Sequence, residues 1–153
     1  MPDADLEMVV RGTLFGAVGT AGQRCTSTRR LICHQDVVEE VTSRLVAAYG
    51  QVCIGDPLDE STLMGPLVTP GAVDDMRAAL EEVAKEGCEV LCGGIEGIDR
   101  FGDRGGNWVE PTIVRVPVGA RPAIAQEETF APILYVYSVA DFDEALDLHN
   151  CVD

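Results

Sequence analysis

Basic side chains are scarce in this sequence: 11 Lys and Arg stand against 26 Asp and Glu, for a net charge of −15. So acidic a chain repels phosphate backbones, which excludes nucleic acid as a partner. Histidine is scarcer still, with only His34 and His149. No apolar run reaches the roughly 18 residues that a membrane-spanning helix needs. The start, Met1-Pro2-Asp3-Ala4-Asp5, lacks the basic opening of a signal peptide. A chain without a membrane partner is expected, cytoplasmic by default, with room for a cleaved organelle signal upstream of this start. Recurring pairs of closely spaced cysteines are missing too. Cys25, Cys33, Cys53, Cys88, Cys92 and Cys151 are irregularly spread, which predicts free thiols in a reducing compartment and no structural zinc site.

What is present fits one folded domain. A chain of 153 residues can bury about two-thirds of its unfolded surface. Leu6, Val9, Val10, Leu14 and Val18 recur at helical spacing after Asp3 and Asp5, so a capped helix over 6–18 is expected. Arg30-Leu31-Ile32-Cys33-His34 reads as a short buried strand. Asp36 with Glu39 three places on has capping-box spacing, which predicts a second helix. Glycine and proline then mark a connection through Gly55-Asp56-Pro57 and Gly65-Pro66-Leu67. Thr69-Pro70 starts a helix that ends at Gly87. Val90-Leu91-Cys92 is a strand, and residues 95 to 107 read as an exposed loop. Trp108 to Val114 is a strand interrupted by Pro111, which favours an edge or a bulge. Ile133 to Tyr137 is an apolar strand, and Asp141 opens a last helix. The alternation predicts an α/β fold with a largely parallel sheet flanked by helices.

Chemistry concentrates in Gly19-Thr20-Ala21-Gly22-Gln23-Arg24-Cys25-Thr26-Ser27-Thr28-Arg29-Arg30. Gly12, Gly16, Gly19 and Gly22 do not have the Gly-x-Gly-x-x-Gly spacing of a dinucleotide loop, and no strand precedes them. They predict close helix packing followed by a bend, with Gly19 and Gly22 taking the unusual backbone angles. Cys25 follows the bend with Arg24, Arg29 and Arg30 nearby. An ordinary thiol is only about 3% thiolate at pH 7, and neighbouring cations raise that fraction. From the residues alone, two readings of Cys25 stay open: a nucleophile, or a small buried hydrophobe. Glu127-Glu128-Thr129-Phe130-Ala131-Pro132 is a second cluster, and read alone it is a solvated acidic patch.

Gly22-Gln23-Arg24-Cys25-Thr26 resembles the active-site cysteine segment of the aldehyde dehydrogenase superfamily. Arg24 and the following Thr26-Ser27-Thr28-Arg29-Arg30 are most similar to its antiquitin branch, the aminoadipate-semialdehyde dehydrogenases. Gly55-Asp56-Pro57, Gly65-Pro66-Leu67, Glu110-Pro111-Thr112 and Glu128-Thr129-Phe130-Ala131-Pro132 match the same family in the same order. The resemblance implies that Cys25 attacks an aldehyde, its backbone N–H helping to hold the oxyanion. It implies NAD as cofactor, with Glu128 accepting hydrogen bonds from the nicotinamide-ribose hydroxyls and Phe130 packing beside the ribose and ring. Arg24 is then placed to meet a carboxylate on a semialdehyde substrate, aminoadipate semialdehyde foremost.

By the same resemblance, residues 1–153 form part of a catalytic domain within a homo-oligomeric parent enzyme. The cofactor-binding domain, a general-base glutamate and an oxyanion-hole asparagine are expected upstream. A substrate loop and an oligomerisation strand are expected downstream. Alone, the fragment is expected to be inactive. The alternative is a truncated, catalytically inactive remnant serving at most as an interaction module. A cysteine-dependent acyl transferase or hydrolase ranks last, because it needs a histidine partner and only His34 and His149 exist.

Overall fold

The computed structural model describes residues 1–102 and 104–152. Helix α1 spans Leu6–Val18, capped by Asp5, whose Oδ1 accepts the N–H of Glu7 at 3.0 Å and of Met8 at 3.1 Å. Its inward side buries Thr13, Ala17 and Val18. Gly16 packs so tightly on Thr28 that a Cβ there would overlap the Thr28 hydroxyl, whereas Gly12 faces open space. Close packing thus explains Gly16 and does not explain Gly12.

Strand β1 (Arg30–His34) leads through a turn to α2 (Val38–Tyr49). Asp36 does not cap that helix as its spacing predicts. Its own amide donates to His34 Nδ1 at 3.1 Å, and the helix begins after Val37 with no side-chain cap. Glu39, freed from a capping box, reaches across to Arg115 at 2.8 Å. Helix α3 (Pro70–Lys85) starts as expected, with the Thr69 hydroxyl accepting the Ala72 N–H and proline in the first turn.

Strand β2 (Glu89–Cys92) is followed by a short helix α4 (Gly94–Asp99) where an exposed loop was expected. Gly93 and Gly94 turn the chain at positive φ, and Ile98 is buried. Tertiary packing makes this helix, since six glycine-containing residues carry no helical periodicity. Strand β3 (Thr112–Arg115), strand β4 (Ile133–Val139) and helix α5 (Phe142–Asn150) complete the fold.

The four strands lie in the order β1-β4-β3-β2, with β1 and β3 each parallel to β4, and β2 antiparallel to β3 at the edge. This is the expected largely parallel α/β sheet. β3 lies inside it rather than at an edge: Pro111 falls just before the first paired residue, and the irregularity sits in β2 between Val90 and Cys92. Covered on both faces, the central strands read as continuous apolar runs; Ile113, Val114 and Ile133 to Tyr137 are all buried. Helix α2 contributes Val41 and Leu45 to the core, and α3 contributes Met76, Leu80 and Val83. Each such side chain favours the fold by about 1.5–3 kcal/mol.

Candidate active site

The chain leaves α1 through an unusual bend. Gly19 has ordinary angles (φ −53°, ψ 131°), whereas Thr20 (φ 55°), Ala21 (φ 52°) and Gly22 (φ 68°) are left-handed in succession. The glycines were expected to carry the bend, yet two residues with side chains share it, each at a cost of about 1–2 kcal/mol. Gly19 serves instead to admit the Arg24 guanidinium: a Cβ there would lie 3.0 Å from Nη2. Gly22 approaches its own chain rather than a ligand, because a Cβ there would meet the Ala131 carbonyl. The buried Ala21 and this contact hold the strained turn in place.

Past the bend, Gln23 Oε1 accepts the Val68 N–H at 2.8 Å, which ties the loop to the glycine- and proline-rich connection. Arg24 and Ser27 then close a turn reciprocally: the Ser27 N–H donates to the Arg24 carbonyl, and the Arg24 N–H to Ser27 Oγ, both at 3.1 Å. Cys25 occupies the tip of this turn and is exposed. Among the described residues no acceptor takes its backbone N–H.

The three neighbouring arginines go different ways. Arg24 Nε donates to Thr20 Oγ1 at 2.8 Å, and its guanidinium lies 5.1 Å from the Phe15 ring centroid. Arg30 leaves the loop altogether, donating to the Leu148 and His149 carbonyls at 3.1 Å each and so closing the C-terminal end of α5. Arg30 is therefore removed from the positive setting expected around Cys25, and the guanidinium of Arg24 is turned to Thr20 and Phe15. Arg29 Nη1 donates to the Ala131 carbonyl at 2.7 Å, and its guanidinium faces Phe130 at 5.5 Å. Burial pushes the Arg29 pKa down, and Glu128 followed by Tyr135 partly offsets this.

The second cluster is thereby brought to the first. A helical turn at 123–126 precedes it, held by Glu86, whose carboxylate accepts the Ala123 N–H at 2.7 Å and the Ile124 N–H at 3.1 Å. Glu128 is exposed, Phe130 is 41% exposed, and Ala131 and Pro132 are buried against the cysteine loop. An open thiol, a carboxylate whose oxygens take no hydrogen bond among the described residues and a partly exposed ring thus sit on two segments that touch. That donor set suits a sugar diol beside a flat aromatic heterocycle.

The other thiols are set apart from Cys25. Burial pushes Cys33, Cys88 and Cys92 up, with Glu86 adding to the effect at Cys88. Cys53 is exposed but lies on the connecting loop, where its carbonyl accepts the Leu63 N–H at 2.8 Å. His34 is a hydrogen-bonded structural side chain, its Nδ1 accepting the Asp36 N–H. Gln23, Glu86 and the bridging role of Arg29 escaped the sequence reading; none stands in a local pattern that reveals a partner 37 to 102 residues away. Among the described residues no helix is long and apolar enough to cross a membrane.

The sequence matches the aldehyde dehydrogenase family over residues 1–153. It is 48% identical over 148 residues to alpha-aminoadipic semialdehyde dehydrogenase of Bos taurus, covering 97% of this chain and 26% of that protein. Among solved structures, 3,6-anhydro-L-galactose dehydrogenase in complex with NAP superposes with a TM-score of 0.91 at 34% identity, covering 100% of this chain and 32% of the other. A betaine aldehyde dehydrogenase variant of Staphylococcus aureus in complex with NAD+ gives 0.89 at 27% identity, covering 97% and 29%. The chain spans less than a third of the length of these relatives. Matched in sequence and in fold over the whole of its length, the chain belongs to the aldehyde dehydrogenase family.

Proposed function

We propose that this chain is the cysteine-bearing part of the catalytic domain of an NAD(P)-dependent aldehyde dehydrogenase. The observation that carries the reading is the contact between the Cys25 loop and the Glu128–Phe130 segment, made at Gly22 and Arg29 against Ala131. Cys25 is the nucleophile: its thiolate adds to the aldehyde carbon, and the Cys25 N–H, which has no acceptor among the described residues, donates to the developing oxyanion. Glu128 accepts the ribose hydroxyls, and Phe130 orients the nicotinamide side of the dinucleotide. Bound there, NAD(P)+ supplies the acceptor for the hydride that leaves the carbon attached to sulfur. Water then cleaves the thioester, releasing the acid and the Cys25 thiol.

The substrate proposed is a semialdehyde with a carboxylate at its far end, aminoadipate semialdehyde first, with Arg24 reading that carboxylate. Relatives named for this substrate support the choice. NAD is the cofactor favoured. Six unpaired cysteines suit a reducing, cytoplasmic setting, and a homo-oligomeric parent is part of the same reading. These 153 residues alone are proposed to be inactive, since hydrolysis needs a positioned base. The complete protein carrying this chain should reduce NAD(P)+ with aminoadipate semialdehyde, and Cys25→Ala should abolish this while leaving nucleotide binding intact. Turnover that survives Cys25→Ala would remove the central assignment.

A further inference from the structure

We infer that Arg29 is a positioning residue through which the cysteine loop sets the carboxylate and ring that receive the nicotinamide ribose. The inference rests on the reading of Glu128 and Phe130 given above and extends it to a residue that touches neither reactant. Three contacts carry it. Arg29 Nη1 donates to the Ala131 carbonyl at 2.7 Å, and Nη2 reaches the Arg24 carbonyl at 3.5 Å. One planar fork therefore joins the residue before Cys25 to the residue after Phe130. Its face lies 5.5 Å from the Phe130 ring centroid, within the range of a cation–π contact.

The backbone behind this fork is anchored as well. The Arg29 carbonyl accepts the Tyr135 N–H at 2.8 Å, which fixes the arginine backbone to β4. Among the described residues Arg29 has no ion-pair partner within 4.0 Å, although Glu128 is near enough to favour its charged form. The Glu128 oxygens thus remain available to hydroxyl donors while facing a positive charge. Lysine can supply the charge but cannot reproduce a planar fork that binds two carbonyls and stacks on a ring. Arg30, next in sequence and equally charged, points to the end of α5 and supplies a control.

In the complete protein carrying this chain, Arg29→Ala should weaken NADH or NADPH binding about tenfold, read by titrating nicotinamide fluorescence. It should also speed amide hydrogen exchange across residues 127–131, while the KM for the aldehyde moves by less than about threefold. Arg30→Ala should leave nucleotide affinity within about twofold. Arg29→Lys should recover part of the affinity. If Arg29→Ala fails to fold, Phe130→Leu and its double variant with Arg29→Lys take its place: the two losses should be strongly non-additive. Unchanged nucleotide affinity in Arg29→Ala, unchanged exchange, equal loss in Arg30→Ala, or simple additivity with Phe130→Leu would each overturn the inference. A wild-type protein that binds neither nucleotide would instead overturn the reading of Glu128 and Phe130, and this inference with it.

Discussion

Gly22 and Ala131 are so close that a Cβ on Gly22 would stand 2.5 Å from the Ala131 carbonyl oxygen and 2.6 Å from its carbonyl carbon. Residues more than a hundred apart in the chain are thereby locked backbone to backbone, at the joint between the two chemical segments. Gly22→Ala must bear both a left-handed φ, at about 1–2 kcal/mol, and a displaced backbone, at about 1–3 kcal/mol. Gly119→Ala has a similar φ of 75° with nothing within 4 Å, so it bears only the first cost. Gly12→Ala, inside α1 with open space around it, should stabilise by about 0.5–1 kcal/mol. Urea unfolding of the three variants gives the ranking. Equal destabilisation by Gly22→Ala and Gly119→Ala would mean that the approach to Ala131 is looser than described.

These contrasts mark what the sequence could reveal. Helix α1, the Thr69-Pro70 start of α3 and β1 were legible because apolar spacing and capping residues are local signals. The strand order was not, since β1 pairs with β4 across about a hundred residues. The motifs around Cys25 and Glu128 stood out in the sequence. The contact between their two segments did not, because it depends on Arg29 and Gly22 reaching Ala131. Thr20 and Ala21 looked ordinary in sequence, and only the buried contacts around them hold their left-handed angles. Asp36 misled because its amide donates to His34 Nδ1 instead of to Glu39, and the helix starts only after Val37.

Thiol reactivity separates the six cysteines. Cys25 and Cys53 are exposed, whereas burial disfavours the thiolates of Cys33, Cys88 and Cys92. A limiting dose of iodoacetamide near pH 8 should modify Cys25 first and Cys53 next, as mapped by mass spectrometry. The lag of Cys33, Cys88 and Cys92 should shrink as pH rises, because their thiolates form only above the ordinary thiol value near 8.5. Labelling of Cys33 or Cys53 ahead of Cys25 would sink the nucleophile assignment.

Burial of three tyrosines predicts how stability depends on pH. Tyr137 is pushed up to about 12 by burial, and Tyr49 and Tyr135 are pushed higher. Their folded pKa values lie above the unfolded value near 10, so the folded chain holds these protons longer. That contribution is complete below the unfolded value and is lost as pH rises through the folded one. The raised thiols act in the same direction from a lower pH. Thermal midpoints should therefore hold steady up to about pH 8 and fall progressively above it. A midpoint that rises between pH 9 and 11 would contradict this sign.

The semialdehyde substrate proposed above rests on Arg24. Its Nε is engaged by Thr20 Oγ1 and its face by Phe15, and among the described residues no carboxylate pairs with it. The guanidinium is therefore oriented but not neutralised, one residue from the exposed thiol. A carboxylate on the far end of a semialdehyde can take the remaining N–H donors in a charge-assisted pair, which a plain aliphatic aldehyde cannot. Loss of such a hydrogen bond costs on the order of 1.5–3 kcal/mol, or roughly ten- to a hundredfold in rate. Arg24→Ala should lower kcat/KM for aminoadipate semialdehyde by that factor relative to propanal. Arg24→Lys should recover the charge without the fork and fall between the two. Because Arg24 also braces Thr20 in its left-handed turn, some loss on both substrates is expected. It is the ratio between them that reports recognition, and an unchanged ratio would assign Arg24 to the loop alone.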